Sequence, residues 1–153
     1  MKNLISKSFY VALFSLSGAI ILSNCSESGS NNTNTTATVT ESDSMKDKGI
    51  GPVTSLTLGA VDNAMAEDGK KIYESKCTAC HNPTEKLIGP PQKGVLERRT
   101  PEWVMNMMLN PQEMLAENPI AKKLLKEYNN VPMTAQGLTE EDARKVLEYL
   151  RTL

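Results

Sequence analysis

Cys77-Thr78-Ala79-Cys80-His81 sets two thiols three residues apart and an imidazole directly after them. In a C-x-x-C-H pattern the thiols can add to the two vinyl groups of one porphyrin, and the imidazole is then within reach of its iron. The pattern therefore points to covalent attachment of a c-type haem. His81 is the single histidine of the 153-residue chain, so any histidine-ligated metal chemistry must use it. Two other chemistries use the same residue types. A thiol–disulfide enzyme places its C-x-x-C among strands, and the chain shows little strand alternation. A tetrahedral zinc site needs four ligands, which here would be Cys77, Cys80, His81 and a carboxylate from elsewhere.

The elements that position these residues read as helices. The first is expected over roughly Ala64 to Cys80, with Gly69 and Tyr73 on one face. A second follows Thr100-Pro101-Glu102, with Thr100 as N-cap and Pro101 at the first helical position. It carries Trp103, Val104, Met107 and Met108 and stops near Asn110-Pro111. A third runs from Asn118-Pro119 to about Tyr128. The last begins at Thr139, with Asp142 three residues on in a near capping box. Its apolar residues Ala143, Val146, Leu147, Leu150 and Leu153 form a stripe at helical spacing. The expected fold is all-α. A domain of about 90 residues is small for an independent core, and a covalently held porphyrin would supply its apolar centre.

The chain ahead of this domain differs in character. Lys2 and Lys7 precede an apolar run from Phe9 to Leu22, shorter than the ~20 residues of a spanning helix. This fits the h-region of a secretory signal. Leu22-Ser23-Asn24-Cys25 resembles a lipobox, with Asn24 where Gly or Ala usually stands. Residues 1–24 are thus expected to be a lipoprotein-type signal peptide, cut before a lipidated Cys25. The alternative is an uncleaved N-terminal membrane anchor. Residues 25–63, rich in Ser, Thr and Asn, are expected to be a flexible linker, with Ile50–Leu58 apolar enough to dock on the domain. Three cysteines suit this division: one lipidated and two bonded to haem. Net charge is −1, and the balance from Ala64 onward is even, which excludes nucleic-acid binding through a basic excess.

Residues 64–153 resemble a class I cytochrome c, with the motifs in the family's order. Gly69 and Tyr73 look like the glycine and aromatic of its N-terminal helix. Val146, Tyr149 and Leu150 look like the C-terminal helix that crosses it. Gly89-Pro90 resembles the loop whose proline carbonyl accepts a hydrogen bond from the proximal imidazole. Val131-Pro132-Met133 resembles the segment that bears the distal ligand. The resemblance implies a small fold of three to five helices around one covalent haem c. Cys77 and Cys80 would attach it, and His81 and Met133 would ligate iron. Met114, a lysine or water are the alternatives to Met133, while Met105, Met107 and Met108 read as core. Arg98, Arg99 and Trp103 are candidates to hold a propionate, and Tyr128 and Asn130 flank the distal loop.

The implied function is one-electron transfer, not catalysis, by a monomer tethered at the cell envelope or in the periplasm. Its partners would be a quinol-oxidising complex and a terminal oxidase or reductase. A peroxidase-like haem enzyme, or a haem-containing sensor or subunit of a larger complex, is the competing reading. The enzyme would need an iron site open to a ligand.

Overall fold

A computed structural model describes residues 44–153. The signal segment, Cys25 and most of the expected linker lie outside these residues. Six helices and no strand form among the described residues: α1 (Asn63–Lys76), α2 (Val95–Arg98), α3 (Pro101–Leu109), α4 (Pro111–Glu117), α5 (Pro119–Glu127) and α6 (Glu140–Leu150). None of them is long and apolar enough to cross a membrane.

Each of the four longer helices starts where its cap dictates. Asp62 accepts from Met65 N–H ahead of α1, and Thr100 accepts from Trp103 N–H ahead of α3. Asn118 accepts from Ile120 and Ala121 N–H ahead of α5. Thr139 and Asp142 complete a reciprocal capping box at α6. The helices α2 and α4 are additional to those expected. At four and seven residues they are too short to show a helical hydrophobic period. Helix α1 also ends at Lys76, so the two thiols lie just past it, not inside it.

Helices α1 and α6 cross, and α3 packs against α6. On α1 the buried residues are Ala66, Gly69 and Tyr73; on α6 they include Ala143, Val146, Leu147 and Leu150. Gly69 is the contact point. A Cβ there would overlap the Lys145 carbonyl and the Val146 nitrogen, both backbone atoms. Only hydrogen at this position lets the two helices meet so closely. Four residues on, Tyr73 tilts against Tyr149 with ring centroids 5.3 Å apart. Trp103, Val104, Met105 and Met108 of α3 complete the core with Met114, Ile120 and Ala121.

Residues 44–62, placed by sequence in a flexible linker, form an ordered strap across the helices. The docking expected for Ile50–Leu58 is thus part of a longer attachment. Its backbone groups are satisfied by side chains far away in sequence. Asn106 is 1% exposed and donates to the carbonyls of Lys48 and Val53, both at 2.9 Å, while its Oδ1 accepts from Val53 N–H at 3.0 Å. Glu102 accepts from Leu56 N–H at 3.1 Å, and Thr100 donates to the Asp47 carbonyl at 2.6 Å. Met114, fully buried, accepts from Ile50 N–H on its sulfur at 3.0 Å.

The strap enters α1 over Glu148, a carboxylate at 0% exposure. Glu148 accepts from Asp62 N–H at 2.7 Å, from Arg151 at 2.7 Å and from Arg144. Burial raises its pKa, but these three donors outweigh that and hold it below its ordinary 4.5.

Gly69→Ala is expected to destabilise the domain by about 1–3 kcal/mol, the usual cost of overpacking a tight contact, read from the midpoint of urea unfolding. Glu148 contributes stability that is present above pH 4.5 and lost as pH falls through its lower folded value. Unfolding midpoints measured through that acid range should fall in the wild type and fall less steeply in Glu148→Gln.

Candidate functional site

The turn after α1 is built to present His81. Cys77 N–H bonds the Tyr73 carbonyl at 2.8 Å, closing the helix. The N–H groups of Cys80 and His81 then both turn back to the Cys77 carbonyl, at 3.1 and 2.8 Å. The Tyr73 hydroxyl reaches the His81 carbonyl at 3.2 Å. Burial first, then the neighbouring Cys77 and Tyr149, push this phenol up to about 12, so it stays protonated as a donor.

Across from this turn lies the loop from Ile88 to Gln92. Gly89 N–H bonds the Cys80 carbonyl at 2.8 Å, which draws the loop against the imidazole. A Cβ on Gly89 would run into the His81 ring, so the ring occupies a cradle that only glycine leaves open. His81 Nδ1 then stands 3.0 Å from the Pro90 carbonyl, the acceptor expected from sequence. The pairing puts the ring proton on Nδ1 and leaves Nε2 as a free ligand nitrogen.

Cys77, Cys80 and His81 line one wall of a cleft, with about 1300 Å³ of empty space counted to its open mouth. Val131, Pro132 and Met133 line the same cleft, together with Val104, Met107, Met108, Leu124, Val146 and Leu150. The structure thus brings the expected proximal and distal residues to one cavity. Met114 is not among its lining residues, and its sulfur is already engaged by the strap. The distal segment is set by the end of α5. Asn129 and Asn130 both take left-handed backbone, at φ 59 and 57, and Asn130 N–H closes on the Leu125 carbonyl at 2.8 Å. This is a Schellman-type ending, and it turns the chain toward Met133.

The three candidates for an anionic group separate. Trp103 does not fill the expected role: its indole N–H is buried and donates to Asn118 Oδ1 at 3.3 Å, which also caps α5. Arg98 also lines the cleft, but its guanidinium is already engaged, donating to the carbonyls of Lys93 and Pro91 at 3.1 and 3.2 Å. It braces the proximal loop. Arg99 remains. It lines the cleft, stacks over Trp103 at 5.4 Å, and has an Nε–H that is buried without a partner. Burial, then the charge of Arg98, lowers its pKa. An anion entering the cleft beside it would satisfy both the orphaned donor and the desolvated charge.

These features fit a haem: an apolar cleft, a glycine cradle around an imidazole, two thiols beside it and an arginine with one buried N–H left unpaired. They do not suit the other two chemistries. Burial first, and the adjacent Cys80 next, raise Cys77 to about 11; a thiol–disulfide enzyme needs the opposite shift. Among the described residues no group of three or more His, Cys, Asp or Glu is arranged to hold a metal ion, as zinc would require.

Known proteins agree with this geometry. The sequence profile of the family described as "Cytochrome c" matches residues 66–153. Cytochrome c-551 of Stutzerimonas stutzeri is 29% identical over 105 residues, which cover 66% of this chain and 94% of the relative. Cytochrome c2 of Rhodocyclus tenuis is 27% identical over 89 residues, covering 58% and 94%. Among solved structures, cytochrome c from Rhodothermus marinus superposes with a TM-score of 0.65 at 45% identity, over 67% of this chain and 88% of that one.

Gly89→Ala is expected to push the imidazole off the Pro90 carbonyl. The yield of covalently haem-loaded protein, read by intact mass, should fall well below that of the wild type while α-helix content in the loaded fraction is retained.

Proposed function

The chain belongs to the cytochrome c family, and from that premise we propose that it is a membrane-tethered one-electron carrier in a respiratory chain. It is an electron-carrying haem protein with one covalently attached haem c. Cys77 and Cys80 would attach the group, and His81 and Met133 would ligate its iron. The bound haem supplies a ferric–ferrous couple.

The observation that carries this reading is the convergence of His81 Nε2 and Met133 on one cleft, with Nδ1 of His81 directed to Pro90. A thioether opposite an imidazole favours the reduced state over two nitrogen ligands. The apolar walls act in the same direction, because low dielectric penalises the extra positive charge of the oxidised centre. With both faces filled, no position is left for a substrate. Among the described residues lining the cleft there is no Asp or Glu, and the single histidine is already a ligand. Peroxide chemistry has no acid–base pair to use, and the competing reading as a haem enzyme loses its support.

Partner docking is assigned to the mouth of the cleft. Ile88 and Val131 line it and are 47% and 49% exposed, with Leu87 beside them at 50%. Large apolar side chains held in water around a redox centre suit brief contacts with a quinol-oxidising complex on one side and a terminal oxidase or reductase on the other. Export and lipidation of Cys25 would keep the carrier at the envelope. That segment's support is its sequence: a charged start, a short apolar run and a following cysteine.

Loaded full-length protein is expected to be low-spin in both oxidation states and to show the methionine–iron charge-transfer band when ferric. Met133→Ala should abolish that band and open the site to carbon monoxide. Retention of the band in this variant would assign the sixth ligand elsewhere.

A further inference from the structure

The side chain of Gln92 stands against the pair formed by His81 and Pro90. Its Nε2 is 2.8 Å from the Pro90 carbonyl and 2.8 Å from His81 Nδ1, beside the 3.0 Å contact between those two. Three polar atoms thus form a closed triangle. Its amide orientation follows from the chemistry of the corners. Turned over, Gln92 would place its own oxygen against the Pro90 oxygen, acceptor on acceptor. The amide nitrogen therefore faces the carbonyl, which sets it 2.8 Å from Nδ1, donor beside donor once Nδ1 is protonated.

The position of Gln92 is fixed from every side. Its backbone N–H is shared between the carbonyls of Asn82 and Pro83, at 3.3 and 3.1 Å. Lys93 N–H bonds Pro83 at 2.8 Å. The carbonyls on either side, those of Pro91 and Lys93, are both held by Arg98. The side chain is half-buried and lines the cleft.

When His81 Nε2 is a ligand, Nδ1 carries the proton. Two donors, Nδ1–H and the Gln92 amide N–H, then crowd one carbonyl oxygen from the same side, their nitrogens only 2.8 Å apart, and compete for it. We infer that Gln92 is a positioning residue that tunes the redox centre: by sharing the Pro90 carbonyl it weakens the hydrogen bond from His81 and so raises the reduction potential. The physical chain is short. A strong acceptor on Nδ1–H pushes electron density into the imidazole and makes Nε2 a better donor to the oxidised iron. A second donor on the same carbonyl draws density away from it, so the imidazole donates less and the reduced state gains. This inference rests on the reading of His81 as the iron ligand.

The test compares full-length, haem-loaded wild type with Gln92→Leu and Gln92→Glu by equilibrium redox titration. Gln92→Leu keeps the bulk and removes the competing donor, so its potential is expected below that of the wild type. Gln92→Glu places an acceptor and a negative charge at the same spot, and its potential should be lower still. The Nδ1–H proton resonance of His81 in the ferrous form should move downfield in the same order. A purely packing role would leave that order unset. An unchanged or raised potential in Gln92→Leu, with a low-spin spectrum intact, overturns the inference and leaves the ligand assignment standing. A wild type whose spectrum shows no histidine ligation sinks the underlying reading instead. Should one variant fail to load haem, the direction of the other decides.

Discussion

The orientation of one imidazole governs the rest of this molecule. His81 has to present Nε2 into the cleft with its proton on the opposite nitrogen, and the chain secures this by subtraction as much as by contact. Gly89 has no side chain where the ring must lie. Pro90 holds its carbonyl 3.0 Å from Nδ1 on a backbone whose φ the ring fixes. The loop that carries both is tied to Cys80 at one end and braced by Arg98 at the other. Were the ring free to rotate, the two thiols and the distal methionine would still line a cavity, but they would not define a redox centre.

The frame behind that loop depends on helices α1 and α6 meeting at Gly69. Their close approach brings Tyr73 against Tyr149, and Tyr73 in turn holds the His81 carbonyl. Packing geometry in the middle of α1 is thereby passed to the ligand just beyond its C-terminal end. Glu148 sits at the same crossing and gathers two arginines and the entry of α1 around a single buried carboxylate. Such a group is strongly position-dependent. It supports the structure only while every donor is in place, since removal of one leaves a charge stranded away from water.

Much of this is legible in the residue order alone. The pentapeptide, the Thr100-Pro101 start of α3, the capping box at Thr139 and the role of Pro90 all rest on local residue order, and local order is visible in a sequence. What escaped notice depends on residues distant along the chain. The strap has no period because its backbone is satisfied by Asn106, Glu102 and Glu148, none of them near it in sequence. The sequence offers Trp103 to an anion because nothing local shows that Asn118 already holds its indole. Arg98 and Arg99 are neighbours of the same type, yet the first uses its guanidinium to brace a loop and the second keeps a buried N–H without a partner; the end of α2 falls between them, with Arg99 already in extended backbone, and composition does not show it. Gln92 carried no signal either, being an ordinary polar residue two places after a proline.

The strap also has a bearing on the order in which this domain assembles. Its bonds to Asn106, Glu102, Glu148 and Arg151 span 53, 46, 86 and 92 residues. Helices with caps a few residues away form early, whereas each of these contacts must first close a long loop. Docking of the strap is therefore a late event in folding, and it can proceed only once α3 and α6 have brought their polar side chains to one surface. A fragment begun at residue 66, where the family's pattern starts, would complete the early steps and still lack the final one.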